Sequence, residues 1–356
     1  MSEKTKEILI NGRPVGADHP AYIIAEMSAN HAGSPARAKE IIHRAKEAGA
    51  DCIKIQTYTP DTITIDCDSE YFRIDDGTWK GETLYGLYGK AYTPWEWQGE
   101  LFDEAKKVGI DFLSTPFDPT SVDFLEGIGL SFYKVASFEI TDLPLIRYIA
   151  SKKKPVILST GMATLEEISD AVNTVFETGN RDLILLKCKS AYPADPKDMN
   201  LRTIRDLSER FGIPVGLSDH SPGSFSARTA VAAGASVIEK HFCLGREIEN
   251  PDASFSMTPE EFADMVKDVR ETEAALGKVF YGPSPDEEYN LRFRRSLFAV
   301  RKIGKGEPLT PENVRSIRPS NGLSPKYLDR ILGKVAAKDI PFGTPLSMDL
   351  IEGMEE

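Results

Sequence analysis

The amino-acid sequence predicts an α/β fold, a closed (β/α)₈ TIM barrel followed by a small C-terminal domain. Short apolar runs alternate with helical patterns along most of the chain, as strands and helices do in a parallel sheet. About eight such units over roughly 250 residues are typical of the closed barrel. An open, doubly wound sheet usually has fewer units and often a Gly-x-Gly-x-x-Gly turn after its first strand, and the sequence contains no such turn.

The predicted strands are short apolar runs bounded by turns or by the ends of helical patterns. They cover residues 22–27, 52–58, 111–116, 132–137, 156–161, 183–189, 215–220 and 237–242. Because successive residues of a strand point to opposite faces, each run also predicts which of its side chains enter the barrel.

Helical patterns separate these strands, and several of them stop at a glycine. Helices are predicted at 35–48, 95–108, 165–177, 200–211 and 224–233. Gly49, Gly109 and Gly179 follow three of the helical patterns. Glycine is common at this position because it readily adopts the left-handed conformation that ends many helices.

The alternation stops near residue 277, which predicts a boundary between two domains. Residues 1–277 are assigned to the barrel, 278–295 to a linker and 296–356 to a small, loop-rich domain. The linker contains Gly-Pro-Ser-Pro and a charged run, which are typical of loops. The last segment consists of short β-like pieces such as 298–301, separated by Gly-Lys-Gly and proline-rich turns.

A long insert at 60–93 follows the second strand and is rich in aromatic residues. Its aromatic side chains are Tyr71, Phe72, Trp79, Tyr85, Tyr88 and Tyr92. Loops that follow strands build the active sites of barrels, so the insert is a candidate substrate lid. The alternative is a β-hairpin that decorates the rim, and the sequence does not distinguish the two.

Composition and charge describe a reduced, cytoplasmic enzyme. The chain has 356 residues and a net charge of −12, which argues against nucleic acid or an anionic membrane as a partner. No apolar run approaches the roughly 18 residues that a membrane-spanning helix needs, and the first ten residues lack the apolar stretch of a signal peptide. Four cysteines without a Cys-x-x-Cys pair predict neither a disulfide framework nor a zinc knuckle.

Strand parity places several charged side chains inside the barrel mouth. In the second strand the two isoleucines should face the helices, so Lys54 and Gln56 point inward. The same parity places Glu26, Lys134 and Glu239 inside. These residues lie near the carboxyl ends of their strands, where barrel active sites lie. One such charge could form a structural ion pair, but several converging charges favour a functional site, because buried charge is expensive.

His220 and His241 end successive predicted strands and form a candidate metal site. Neighbouring strands lie about 4.8 Å apart, so two inward imidazoles at equal height could share one cation. Two ring nitrogens with nearby carboxylates and open positions suit a catalytic divalent ion such as Mn²⁺ better than a closed zinc site. His31 follows the first strand and is a further candidate for the site.

Cationic and hydroxyl side chains should surround the same mouth. They are Lys54, Lys134, Thr115, Ser137, Ser159 and Ser218. This set suits a small anion that carries phosphate and carboxylate groups. Without a Walker motif, the combination of metal and anion site indicates chemistry on a phosphorylated small molecule rather than nucleotide hydrolysis.

Seven motifs on these strands make the chain resemble the sialic acid synthases, which condense phosphoenolpyruvate with an amino sugar. They are Ile-Ala-Glu-Met-Ser-Ala-Asn-His (24–31), Ile-Lys-Ile-Gln-Thr (53–57), Ser-Thr-Pro-Phe-Asp (114–118), Tyr-Lys-Val-Ala-Ser (133–137), Leu-Ser-Thr-Gly-Met (158–162), Leu-Ser-Asp-His-Ser (217–221) and Glu-Lys-His-Phe (239–242). The tail, with Ile-Arg-Pro-Ser-Asn-Gly (317–322), is similar to the antifreeze-like (SAF-type) domain that ends these enzymes.

Three segments resemble the pseudaminic branch of that family rather than the neuraminic branch. They are Glu-Met-Ser-Ala-Asn-His (26–31), Gly-Glu-Thr-Leu-Tyr (81–85) and Ala-Tyr-Thr-Pro-Trp-Glu-Trp (91–97). The resemblance implies 2,4-diacetamido-2,4,6-trideoxy-β-L-altropyranose as the acceptor, with products for flagellin or polysaccharide glycosylation. The alternative is an N-acetylneuraminate or legionaminate synthase with another amino-sugar acceptor. Ser190 stands where neuraminate synthases carry an asparagine that helps to hold the phosphoenolpyruvate carboxylate.

The resemblance also implies roles for individual residues. The metal ligands would be His220 and His241, with Mn²⁺ as the ion, or Mg²⁺ or Co²⁺ in its place. The catalytic residues would be Glu26, Lys54, Lys134 and Asp252. Substrate contacts are implied for Thr115, Ser137, Ser159, Ser190, Tyr192, Ser218, Phe293 and Arg318.

The family further implies a homodimer with exchanged tails, in which Arg318 reaches the active site of the partner subunit. Two other hypotheses compete with the synthase. A metal-dependent aldolase on the same barrel would release no phosphate. An ice- or glycan-binding module would use the tail and keep the barrel as a scaffold, which the converging Lys, His and Glu residues argue against.

Overall fold

Eight parallel strands close into a barrel in the first of two units of the chain. The computed structural model describes residues 7–354, and its contacts divide the chain after Gly277. The barrel strands are β3 (Tyr22–Glu26), β4 (Cys52–Thr57), β5 (Asp111–Pro116), β6 (Tyr133–Val135), β7 (Val156–Ser159), β8 (Leu183–Cys188), β9 (Val215–Asp219) and β10 (Val237–His241). Strand β10 pairs with β3 and closes the sheet. The predicted barrel is confirmed.

Helices between the strands cover the outside of the barrel. They are α1 (Pro35–Glu47), α4 (Trp95–Val108), α5 (Pro119–Gly127), α6 (Leu143–Ser151), α7 (Leu165–Glu177), α8 (Thr203–Phe211), α9 (Phe225–Ala232) and α10 (Pro259–Leu276). The predicted helical patterns match five of them to within three residues at each end. Gly109 ends α4 with a φ of 74°, the left-handed cap that the sequence predicted.

Two apolar layers follow from strand parity. Ile53 and Ile55 belong to the layer that packs against the helices, whereas Cys52 belongs to the layer that fills the barrel interior. The prediction that Lys54 and Gln56 point inward is therefore confirmed. Several strands end one or two residues earlier than predicted, because the chain turns where the site residues begin; β6, for example, is followed by a 3₁₀ turn at Ser137–Glu139.

An N-terminal hairpin closes the bottom of the barrel. It consists of β1 (Ile8–Ile10) and β2 (Arg13–Val15), which pair antiparallel. Ile8, Ile10 and Val15 share the interior apolar cluster with Tyr22 and Ile24 of β3. The sequence did not predict this hairpin. Part of the terminal stretch considered for a signal peptide, residues 1–6, lies outside the described residues.

The aromatic insert consists of short helices and loops. It contains α2 (Pro60–Ile63), a 3₁₀ turn at Glu70–Phe72 and α3 (Leu84–Ala91). One isolated antiparallel bridge joins Arg73 to Thr83. Beside it, the Ile74 amide donates to the Glu82 carbonyl and the Gly81 amide donates to the Ile74 carbonyl. The insert therefore contains a short antiparallel reversal, as the alternative of a rim hairpin expected, within a segment that is mostly helical turns and loops.

The second unit begins at Lys278 and has its own core. Strands β11 (Ser296–Ala299) and β12 (Val314–Ile317) pair antiparallel, a short helix α11 spans Leu328–Ile331, and isolated bridges connect the remaining loops. A 3₁₀ turn at Glu288–Phe293 falls within the predicted linker. Gly322 lies against the Leu297 carbonyl so closely that a side chain there would collide with it. Within residues 7–354, no helix combines the length and the apolar character needed to cross a membrane.

Candidate active site

Four buried charged side chains meet at the carboxyl ends of the barrel strands. Lys54 Nζ lies 2.5 Å from Glu26 Oε2 and 3.4 Å from Glu239 Oε1. Lys134 Nζ lies 3.8 Å from Glu239 Oε2 and donates a hydrogen bond to Ser159 Oγ at 2.7 Å. All four are at least 95% buried. The strands therefore place two ammonium groups and two carboxylates in one small volume.

The pKa shifts in this cluster result from the opposing effects of burial and of neighbouring charges. Burial raises the pKa of Glu26 above its ordinary value, against the opposing effect of Lys54. For Glu239, the burial effect is outweighed by Lys134 and Lys54, and its pKa is lowered. Burial lowers the pKa of Lys134, whereas Glu239 and Glu26 outweigh burial at Lys54 and raise its pKa. Lys134 is thus the less well-paired cation and is suited to bind an added anion.

Hydroxyl groups line the cluster where an anion would bind. Thr115 Oγ1 lies 3.5 Å from Lys54 Nζ, and Ser218 Oγ donates to Glu239 Oε1 at 3.3 Å. Ser137 Oγ accepts a hydrogen bond from the Gly161 amide at 3.0 Å. A side chain at Gly161 would collide with both Ser137 and Ser190. The glycine therefore allows these two hydroxyls to lie side by side at the mouth.

His220 and His241 lie next to each other at the same rim. Their ring centroids are 5.3 Å apart with an interplanar angle of 58°. His220 Nδ1 lies 3.0 Å from the Lys189 carbonyl oxygen, and since a carbonyl can only accept, Nδ1 carries a proton. His241 Nδ1 is buried without a hydrogen-bond partner, and burial, with His220 and Lys54, lowers the pKa of His241 well below its usual range.

These features fit a metal ion. A neutral, buried imidazole with an unpartnered nitrogen beside a second oriented imidazole is a typical pair of ligands for a divalent cation. No third His, Cys, Asp or Glu joins them in a ligand group within residues 7–354. The expected nearby carboxylates are therefore not part of the group, because Glu239 is engaged by the two lysines. Two protein ligands would leave positions open for substrate and water.

An aromatic wall stands beside the histidines. The ring of Tyr192 lies 4.4 Å from that of His220, and Phe255 packs edge-on against His241 at 5.0 Å. Trp79 of the insert lies 5.5 Å from Tyr192 and donates from Nε1 to the Pro251 carbonyl at 3.0 Å. The insert is thus attached to the loops after β8 and β10 and borders the site.

Asp252 is buried at the edge of the site. Its Oδ2 accepts a hydrogen bond from the Ala29 amide at 3.1 Å, and burial raises its pKa above the ordinary value. His31, by contrast, has a packing role. Its Nδ1 accepts from the Gly33 amide, its Nε2 lies 3.3 Å from Thr93 Oγ1, and its ring packs edge-on against Trp97.

Two of the residues implied by the resemblance lie in the second unit. Phe293 is 45% exposed, with its ring near that of Tyr289, and Arg318 is exposed at the end of β12. Their contacts with substrate stay predictions.

Three further residues belong to the mouth although no role was predicted for them. Gln56 Nε2 donates to Glu26 Oε1 at 3.1 Å and to Ser28 Oγ at 3.0 Å, and so orients that carboxylate. Glu239 is the carboxylate shared by both lysines, which strand parity had already placed inside. Glu139 has a buried, unpartnered Oε2, and burial raises its pKa to about 7. It lies in a 3₁₀ turn, where parity gives no signal.

Several known proteins are similar to this chain over most of its length. A pseudaminic acid synthase of Campylobacter jejuni is 49% identical over 92% of this chain and 96% of its own. A pseudaminic acid synthase of Helicobacter pylori is 44% identical over 94% of this chain and 98% of its own. The crystal structure of an N-acetylneuraminic acid synthetase from Leptospira borgpetersenii, in complex with citrate, has a TM-score of 0.72 and 32% identity over 82% of this chain and 96% of that one.

Family comparisons cover both units. Residues 294–352 match the SAF domain, so the antifreeze-like tail is confirmed. Residues 41–281 match the NeuB family. The predicted resemblance to the sialic acid synthases is confirmed, and the chain belongs to the NeuB family.

Proposed function

We propose that this protein is a pseudaminic acid synthase. It condenses phosphoenolpyruvate and water with 2,4-diacetamido-2,4,6-trideoxy-β-L-altropyranose and releases pseudaminic acid and phosphate. The observation that carries the proposal is the placement of the Lys54–Lys134 cluster and the His220–His241 pair at one barrel mouth. The first suits a phosphorylated carboxylate and the second suits activation of a carbonyl, which are the two reactants of this condensation.

Phosphoenolpyruvate would bind to the lysines and hydroxyls. Two ammonium groups provide charge for a phosphate and a carboxylate. Lys134, whose nearest carboxylate oxygen is 3.8 Å away, has the larger capacity to accept a new anion. Ser137, Ser159 and Ser190 supply directional hydrogen-bond donors around it.

The acceptor aldehyde would bind beside the histidines. A divalent ion, Mn²⁺ or else Mg²⁺ or Co²⁺, would be held by His220 and His241 and supplies Lewis-acid polarisation of the aldehyde oxygen when bound. Tyr192 and Asp252 border the space that the rest of the sugar would fill. Tyr192 offers a ring face and a hydroxyl, and Asp252 offers a carboxylate for sugar hydroxyl or amide groups.

Glu26 would act at the carbon where charge develops. Attack by the methylene carbon of phosphoenolpyruvate on the aldehyde carbon leaves positive charge at C2 of the enol. The Glu26 carboxylate, oriented by Gln56, stabilises that charge and directs water to C2. The resulting tetrahedral intermediate then expels phosphate with cleavage of its C–O bond.

The acceptor assignment rests on the relatives and on the aromatic wall. Pseudaminic acid synthases are 44–49% identical to this chain, whereas a neuraminic acid synthetase of known structure is 32% identical. Trp79 and Tyr192 form an apolar surface that suits the methyl group of a 6-deoxy sugar. An N-acetylneuraminate or legionaminate synthase is the second candidate. A single methyl contact is worth only about 1–3 kcal/mol, so discrimination against other acceptors should be graded.

We further propose a homodimer with exchanged tails, with Arg318 reaching the site of the partner subunit. A guanidinium provides planar, directional donors for an N-acetyl group that a lysine does not reproduce. A cytoplasmic setting agrees with the four cysteines, all of which are free.

The reaction is tested with phosphoenolpyruvate labelled with ¹⁸O at the bridging position. Attack of water at C2 transfers the label to inorganic phosphate, which mass spectrometry detects. Label retained in the sugar product means that water attacked phosphorus and contradicts the mechanism. Product formed without any phosphate release supports the competing aldolase instead.

A further inference from the structure

Lys240 and Asp219 form a buried ion pair directly behind the two histidines. The two residues face each other across β9 and β10 in the strand register. Lys240 Nζ lies 2.7 Å from Asp219 Oδ2, and both side chains are at least 99% buried. Each residue precedes one of the histidines in the chain. Because successive strand residues point to opposite faces, the pair points away from the site that His220 and His241 face.

The ammonium group of Lys240 is surrounded by oxygens of a single loop. It donates to the Asp219 carboxylate, to the Ser221 carbonyl and, at 3.1 Å, to the Gly223 carbonyl. These three bonds use every donor that a lysine has. The second oxygen of Asp219 accepts from the Ser221 amide at 2.8 Å and from its hydroxyl at 2.6 Å. Residues 219–223 are therefore wrapped around this pair.

His220 is the only residue of that wrapped segment that contributes a ring to the site. Its backbone carbonyl accepts a hydrogen bond from the Ala194 amide at 3.0 Å, and its Nδ1 is bound by the Lys189 carbonyl. The ring is thus held by neighbouring backbone, while the path of its own backbone is set by Lys240 and Asp219. Because the imidazole is attached to this loop, a shift of the loop backbone would displace the ring directly.

Stability alone does not explain a charged pair at this position. Removing two charges from water is expensive, and well-packed apolar residues often replace a buried ion pair without loss of stability. An apolar pair, however, could not bind the carbonyls of Ser221 and Gly223. The charged pair fixes the geometry of the loop. With an apolar pair in its place, the backbone oxygens of the loop would lose their hydrogen-bond partner.

We propose that Lys240 and Asp219 are positioning residues that hold His220 in place for metal binding. The inference rests on the metal-binding role proposed above for the two histidines. Ligands fixed by their surroundings bind metal more tightly, and loss of such support typically lowers affinity by roughly 10- to 100-fold. Loss of the pair should therefore weaken the binding of Mn²⁺ more than the binding of phosphoenolpyruvate, whose proposed cationic contacts, Lys54 and Lys134, lie on β4 and β6.

The test measures Mn²⁺ binding to the full chain by calorimetry, without substrates, together with phosphoenolpyruvate binding. The variants are Asp219→Asn, which keeps the side-chain shape, and the double variant Lys240→Met/Asp219→Asn, which leaves no unpaired buried charge. The control is Lys154→Met/Glu126→Gln, which removes an ion pair of 2.5 Å between α5 and the start of β7. Circular dichroism and thermal unfolding establish that each variant is folded.

We expect the dissociation constant for Mn²⁺ to rise roughly ten-fold or more in both Asp219 variants and to stay unchanged in the control. Phosphoenolpyruvate binding should change much less. A folded double variant that binds Mn²⁺ like the parent chain would show that the pair is merely structural. If Asp219→Asn is folded and binds Mn²⁺ normally while the double variant fails to fold, the inference is likewise overturned. If the parent chain binds no Mn²⁺, or if His220→Ala binds it as well as the parent chain does, the proposed metal site itself is wrong.

Discussion

Lys54 and Glu26 form a buried ion pair at the centre of the barrel mouth, with Nζ and Oε2 2.5 Å apart and side chains 5% and 1% exposed. Lys54 also contacts Glu239, so it stays partly neutralised if Glu26 is lost. Glu26 is therefore not needed to keep Lys54 charged. The pair instead holds the Glu26 carboxylate where the enol carbon of phosphoenolpyruvate would develop positive charge.

Glu26→Gln should lower kcat by about 100-fold or more without raising the KM for phosphoenolpyruvate. The amide keeps the size of the side chain but removes the negative charge that stabilises the developing cation. It also removes a negative charge close to the proposed phosphoenolpyruvate site, so the variant should not bind phosphoenolpyruvate more weakly. Steady-state kinetics with Glu126→Gln as the control measures both constants. A large rise in KM with unchanged kcat would contradict the assigned role.

The two imidazoles should account for metal dependence. Chelation should abolish turnover, and added Mn²⁺ should restore it. His220→Ala and His241→Ala should each lose activity by roughly 100-fold or more, since a Lewis-acid effect of several kcal/mol is removed. Activity is measured alongside the metal content of the protein by elemental analysis. Full turnover with metal shown to be absent would contradict this assignment.

His31 should make folding stability depend on pH. Burial lowers its pKa to about 4 in the folded chain, from an unfolded value of 6.5. A lowered pKa means that its contribution is fully present above pH 6.5 and is lost progressively as the pH falls towards 4. Between pH 7.5 and pH 5 the free energy of unfolding should therefore fall by about 2 kcal/mol from this residue alone.

The variant His31→Gln keeps polar atoms at the position but does not titrate in this range. Urea unfolding at pH 7.5 and pH 5 should show a smaller pH dependence for the variant than for the parent chain. His43→Gln is the matched control, because His43 is half exposed and pairs with Glu104 on the surface. Equal pH dependence in the parent chain and His31→Gln would show that burial does not hold His31 neutral.

Most of the barrel and its mouth could be predicted from local sequence, because strand parity is a local property. Alternation within each strand placed Glu26, Lys54, Lys134 and Glu239 inside the barrel. The histidine pair was predicted because the two histidines end successive strands. The N-terminal hairpin was missed because strands of three residues carry too little pattern to be recognised. Its stability comes from packing of Ile8 into an interior that is assembled by distant strands.

Residues in turns and loops could not be predicted in the same way. Trp79 borders the site because its indole binds the Pro251 carbonyl, 172 positions further along the chain. Glu139 lies in a 3₁₀ turn, where no period relates one side chain to the next. Likewise, the carboxylate expected beside the histidines is engaged by lysines from other strands. Long-range contacts of this kind depend on the folded structure and not on any local pattern.

Arg318→Ala should raise the KM of the acceptor far more than that of phosphoenolpyruvate, because its guanidinium is proposed to bind the N-acetyl group. In the proposed dimer, mixing Arg318→Ala and His220→Ala subunits should restore activity, since one site of each mixed dimer then keeps both groups. Activity is measured after subunit exchange, with mixed dimers verified by native mass spectrometry. Mixed dimers as inactive as either parent would show that the arginine does not act in the partner's site.

The central claim is the identity of the acceptor, and a competition assay tests it most directly. The protein is incubated with phosphoenolpyruvate, Mn²⁺ and an equimolar mixture of the diacetamido-trideoxy-altrose sugar, its legionaminate-type counterpart and N-acetylmannosamine, and the products are quantified by chromatography and mass spectrometry against standards. We predict that pseudaminic acid is the main product, with a graded preference in kcat/KM. Preferential formation of N-acetylneuraminic or legionaminic acid would contradict the assignment.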